Sequence, residues 1–145
     1  MHVQYVHATP ELKAAFKARS GTNASDFIRF DDNYFSLIAL AEDQPIALIV
    51  AKTRPLAEPL QIVTEAFIDI IEVLPEYQRQ GIGTTLVQKV IQWAQGSGVS
   101  QVRAWSEEIR CEALLLWNKL GFTFSRVDFQ NGPDKRYGFY VARRL

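Results

Sequence analysis

The sequence predicts an α/β (α+β) fold: one domain over residues 1–145, with a mixed, mostly antiparallel central sheet of about six or seven strands flanked by about four helices. Three observations lead there. The 145 residues are 48% hydrophobic and 22% charged, enough to bury one core without a metal or a disulfide. Short runs rich in Ile, Val, Leu and aromatics recur between Gly, Pro, Asn and Asp clusters, as strands joined by turns do. Other segments carry apolar residues at helical spacing, and one of them is entered through a glycine-bearing loop.

Val3 to His7 reads as the first strand. Thr9, Pro10 and Glu11 supply an N-cap, a proline at the first helical position and an acid in the first turn, so a helix runs to about Arg19 and stops at Gly21. Thr22 to Asp32 reads as a short second helix or a structured loop. Tyr34 to Glu42 and Ile46 to Thr53 form an antiparallel hairpin around Asp43-Gln44. Pro55 and Pro59 make Arg54 to Gln61 an exposed loop. Val63 to Leu74 is a strand ended by Pro75, and its apolar residues do not alternate, so it is either buried on both faces or bulged. Asp69 and Glu72 are thus acids in an apolar strand. After the glycine loop, Ile82, Leu86, Val90 and Ala94 mark the buried stripe of a helix that Gly96 and Gly98 stop. Val99 to Trp105 is a strand, a helix starting at Ser106 ends at Gly121, and Phe122 to Phe129 and Tyr137 to Ala142 are strands around a turn at residues 130–134.

Sixteen Lys and Arg balance 16 Asp and Glu, so bulk charge favours neither nucleic acid nor an anionic membrane. No apolar stretch approaches the roughly 20 residues that span a bilayer. Cys111, the single cysteine, cannot form an intrachain disulfide, and no charged start with an apolar stretch and cleavage site opens the chain, so a cytoplasmic setting is expected. Cys111 reads as a thiol packed within its helix, and neither histidine has metal-ligand partners at helical spacing, so no metal is expected.

The chemistry lies in the loop. A strand, a glycine turn and a helix start can aim free backbone N–H groups at an anion. A dinucleotide fingerprint would put a third glycine where Leu86 stands, and a triphosphate loop needs Gly-Lys followed by Ser or Thr, which is absent. The loop alone leaves open a turn with no ligand. Yet Val73-Leu74-Pro75-Glu76-Tyr77-Gln78-Arg79-Gln80-Gly81-Ile82-Gly83-Thr84-Thr85-Leu86 resembles the acetyl-CoA signature of the GNAT superfamily of N-acetyltransferases, with Gln78, Gly81 and Gly83 in the defining places. Ala113 to Phe122, ending in Gly-Phe, resembles that family's second block.

The resemblance implies acetyl-CoA as acyl donor. Its pyrophosphate would lie on Gln78, Arg79, Gln80, Gly81, Ile82, Gly83 and Thr84, and its pantetheine arm would pair with Glu72 and Val73 at an edge opened by a splay from the next strand. A Val73 N–H would polarise the thioester carbonyl. For the base, Asp69 and Glu72 are candidates, each with a salt-bridged or solvent-facing alternative, and water relay would make a base unnecessary. The family often supplies the acid from a tyrosine at the position occupied here by Trp117, whose indole is too weak an acid and is expected to pack on the pantetheine. Tyr137 is the substitute chosen, with Tyr140 and Tyr77 as others. The acceptor implied is the primary amine of a small molecule or peptide, and the alternative to an enzyme is a non-catalytic acyl-CoA-binding or interaction domain. Aromatic density at Phe122, Phe124, Phe129, Tyr137, Phe139 and Tyr140 suggests a possible homodimer.

Overall fold

The computed structural model describes residues 1–145. In chain order, β1 (Val3–His7) leads to α1 (Pro10–Ser20), β2 (Tyr34–Ala41), β3 (Gln44–Pro55) and β4 (Thr64–Val73). These are followed by α2 (Ile82–Gly96), β5 (Gln101–Glu107) and α3 (Cys111–Lys119), then β6 (Thr123–Arg126), β7 (Phe129–Asn131), β8 (Asp134–Arg136) and β9 (Gly138–Arg144). Seven strands form one sheet in the order β1-β2-β3-β4-β5-β9-β6, antiparallel except between β4 and β5. This is the predicted mixed sheet.

Thr9 caps α1 by accepting the Leu12 N–H at 3.2 Å, and Gly21 ends it at φ 67°. Residues 24–27 make a single 3-10 turn, so three α-helices flank the sheet where about four were expected. The physical reason is local: Ser20 accepts the Thr22 N–H, and hydroxyls that bond nearby backbone compete with helix.

One face of the sheet packs on α2 and α3 through Leu37, Ile49, Ile68, Leu86, Val90, Val102 and Trp117. The other packs on α1 through Phe16, Ile28, Ile38, Leu48, Val50 and Leu74. Between the β3–β4 pairs Val50↔Ile70 and Ala51↔Ile68 one residue is extra, which makes Asp69 a bulge and explains the broken alternation of this strand.

The final hairpin is more broken than expected. β6 pairs with β9, but the chain then leaves the sheet and folds the separate ribbon β7–β8. Side chains interrupt the ladder: Trp105 Nε1 donates to the Val127 carbonyl at 2.8 Å, and Asp128 accepts the Gly138 N–H at 3.2 Å. A Cβ at Gly138 would stand 2.6 Å from the Trp105 ring and 2.4 Å from the Ser106 carbonyl, so only glycine lets the indole cross β9. The aromatics mostly meet one another within the fold, Phe122 on Trp117, Phe139 on Phe124, and Phe129 on Trp105 and Tyr140.

Candidate functional site

β4 and β5 pair at Ala66↔Val102, Phe67↔Arg103 and Ile68↔Ala104, and then part. Asp69 to Val73 therefore have β3 on one side and no strand on the other. The Leu74 N–H donates to the Ile46 carbonyl at 2.9 Å, and the pairs Glu72↔Leu48 and Ile70↔Val50 share its parity. The N–H groups of Ile71 and Val73 accordingly turn to the opening, while the Glu72 backbone serves the ladder with β3. Ile71, not Glu72, thus shares the open backbone edge with Val73. Gln78 Nε2 donates to the Val73 carbonyl at 3.0 Å, which ties the loop back to the strand.

The opening runs into a cleft of about 960 Å³. Its first wall is Ile71, Glu72 and Val73 with the loop from Gln78 into α2. Gly81 (φ 82°) is the N-cap of α2, no acid occupies the first turn of that helix, and Arg79 also adopts a left-handed conformation at φ 63°. Free N–H groups of the first helical turn thus meet no carboxylate of their own helix. A Cβ at Gly83 would lie 3.8–3.9 Å from Leu116, Ile71 and Val73, ordinary contact distances. The protein's own packing tolerates a side chain there, so the bare position leaves a cradle open to the cleft. Gln80 is not a wall residue; its amide donates to the Glu76 carbonyl at 3.4 Å.

The second wall is α3 and the residues before it. Ile109 and Leu115 are 78% and 68% exposed on this wall, apolar surface with nothing over it. Cys111 is exposed here too, instead of packed within its helix as expected. Arg79 reaches across the mouth and forks onto Glu112 Oε1 at 2.9 and 2.6 Å, while Arg110 and Lys119 bring further positive charge. Sequence reasoning passed over Ile109 and Glu112, and gave Leu115 no role beyond its place in the block from Ala113 to Phe122. The helix expected from Ser106 would have contained Ile109; instead β5 runs on to Glu107 and α3 begins at Cys111, which leaves Ile109 in the connection before the helix.

The two carboxylates differ. Asp69 is 11% exposed, pairs with Lys52 Nζ at 3.2 Å and is not a wall residue. Glu72 lies on the wall, makes no ion pair, and accepts the Thr22 hydroxyl at 2.7 Å. Tyr137 stands off the walls, half-exposed between Arg126 and Lys135, and Tyr140 lies under Arg103. Of the three tyrosines considered, Tyr77 borders the cleft; its hydroxyl accepts from Arg19 at 3.4 Å. Trp117 is buried against Phe122, with ring centroids 4.9 Å apart, behind the wall formed by Ala113 and Leu116.

A splayed parallel pair opening directly into a helix-capping glycine loop is the deciding arrangement, and the model of the acetyltransferase (GNAT) family matches residues 5–122. The chain belongs to the GNAT acetyltransferase family. Mouse N-acetyltransferase family 8 member 7 is 26% identical over 102 residues, 70% of this chain and 45% of that protein, so the chain spans less than half the relative's length. Among solved structures, Arabidopsis thaliana NAA60 in complex with acetyl-CoA superposes with a TM-score of 0.85 over 99% of both chains at 14% identity. The ribosomal-protein-S18-alanine N-acetyltransferase of Escherichia coli gives 0.75 over 99% of this chain and 94% of its own at 17% identity. At such identities the likeness is one of fold. Within the GNAT fold of this chain, no helix is long and apolar enough to cross a membrane.

Proposed function

We propose that this chain is an acetyl-CoA-dependent N-acetyltransferase that moves an acetyl group directly to the primary amine of a small molecule or peptide. The observation that carries the reading is the open edge of β4, with the Ile71 and Val73 N–H groups facing a cleft that ends on the α2 N-terminus. Amides of a pantetheine arm match such an edge as an added strand does, and a pyrophosphate matches the helix start. Ile109 and Leu115 provide apolar cover. Ionic contacts at a helix start give about 0.3–1 kcal/mol each against about 8 kcal/mol for micromolar binding, so strand, helix start and apolar wall act together.

Acetyl-CoA supplies the acetyl group as a thioester. The Val73 N–H donates to its carbonyl oxygen, and Glu72, the wall carboxylate with no cation on it, takes the proton that the amine loses as the N–C bond forms and the C–S bond breaks. A thiol of pKa about 8.5 is a good enough leaving group to draw its proton from water, which relieves Tyr137 of the acid's role. Phe27 and Phe30 lie exposed in the segment that follows Thr22, the residue that contacts Glu72, and would suit an acceptor with apolar surface.

A screen of amine acceptors with thiol-release detection tests the whole reading. Binding of acetyl-CoA without turnover of any amine would favour the non-catalytic alternative. In calorimetry, Gly83→Asp should weaken acetyl-CoA by about 2 kcal/mol, roughly 30-fold, because it fills the cradle and adds a negative charge beside the phosphates. Unchanged affinity in a folded variant would take the loop out of the site. Glu112→Gln should act in the opposite sense and tighten acetyl-CoA by no more than about fivefold, since it frees Arg79 from an exposed ion pair. Weaker binding on this change would show that Glu112 supports the site.

A further inference from the structure

We propose that Thr22 is a positioning residue: its hydroxyl holds one oxygen of Glu72 so that the other is free to take the acceptor's proton. The inference rests on Glu72 being the base. Two hydroxyls and a carboxylate fix the direction of the hydrogen bonds. Ionised Glu72 can only accept, so Thr22 Oγ1 donates to Glu72 Oε2 at 2.7 Å. With that proton committed, the 3.0 Å contact between Ser20 and Thr22 must have Ser20 as donor. Ser20 Oγ in turn accepts the Thr22 N–H at 3.1 Å, which closes the turn on itself. The chain Ser20 to Thr22 to Glu72 is therefore ordered from the C-terminal end of α1 to the wall of the cleft, and Glu72 Oε1 has no partner in it.

The arrangement answers a mechanical need. Past Ile68, β4 has lost its neighbour β5, so Glu72 projects from a strand held on one side only. Its carboxylate receives no lysine or arginine, unlike Asp69 and Glu65, and Thr22 is its single side-chain anchor. Gly21, left-handed at φ 67°, turns the chain so that the residue after it can reach β4. The loop that fixes the base also begins the segment carrying the exposed Phe27 and Phe30.

The test compares wild type, Thr22→Val, Thr22→Ser, Glu72→Gln and the double variant Thr22→Val with Glu72→Gln, using the best acceptor of the amine screen. Thr22→Val should lower kcat about tenfold, as misplacement of a reacting group does, and leave the acetyl-CoA Kd within twofold. Thr22→Ser should restore kcat to within about threefold of wild type, and Thr22→Val should cost nothing further once Glu72 is Gln. Retention of full kcat by Thr22→Val, failure of Ser to rescue, or an undiminished loss on the Glu72→Gln background would each overturn the proposal. Wild-type turnover by Glu72→Gln itself, or no amine turned over at all, would instead remove the base, and the positioning role would fall with it.

Discussion

Glu72→Gln is expected to lower turnover by about 10²–10⁴, the loss that follows removal of a working general base, while leaving acetyl-CoA affinity nearly unchanged. The side chain keeps its size, and the amide oxygen can still accept from Thr22, so the geometry of the wall persists. Only the ability to take a proton is lost. Asp69→Asn is expected to behave differently, because that carboxylate is already matched to Lys52 and sits in the bulge away from the cleft wall. Its turnover should stay within a few-fold of wild type. Thiol release under saturating acetyl-CoA, with affinity measured separately by calorimetry, distinguishes the two. Equal and large losses in both would mean that the bulge and its ion pair shape the site as a unit, and an inert Glu72→Gln would leave the amine to lose its proton to water.

The parts of this site that could be read from sequence are those that local backbone physics determines. Gly81 is needed for its φ, Gly83 leaves a bare helix turn, and the helix stripe from Ile82 follows at a spacing of four; each lies within a few residues of the next. The bulge at Asp69 was legible for a related reason, since an extra residue in one strand breaks the alternation of that strand itself. What depends on register was not legible. Whether Glu72 or Ile71 offers its backbone to the opening turns on which β3 residue each faces, and a shift of one position exchanges the answer. The resemblance put Trp117 on the pantetheine, at the position of the family's tyrosine, but a helix has several faces, and Ala113 and Leu116 occupy the one that borders the cleft. Contacts across the fold left no trace in sequence at all. Arg79 and Glu112 are 33 residues apart, and Thr22 and Glu72 are 50 apart.

Glu65 is the extreme case, and it yields the largest expected effect on stability. Its carboxylate is fully buried, yet it accepts from Arg103 at two positions (2.8 Å each), from Gln101 at 2.9 Å and from Arg54 at 3.0 Å. Burial alone would raise its pKa; the hydrogen bonds from Arg103, Gln101 and Arg54 and the charge of Arg103 outweigh it and hold the carboxyl below its ordinary value of 4.5. Glu65→Gln would leave two guanidinium groups around a neutral amide. Loss of one partner of a buried ion pair costs about 3–5 kcal/mol, and the lower end applies here because the Arg54 and Arg103 side chains are 32% and 23% exposed and can regain some water. The pH dependence has a definite sign. A carboxyl whose folded pKa is depressed contributes stability above its unfolded pKa and loses it as the pH falls through the folded value. Wild type should therefore exceed Glu65→Gln in unfolding free energy by a constant margin from about pH 5 to 8, and the margin should shrink progressively below about pH 4.5. Urea melts across that range decide it. A margin that stayed flat down to pH 3 would mean that Glu65 contributes through packing and neutral hydrogen bonds, with no part played by its charge.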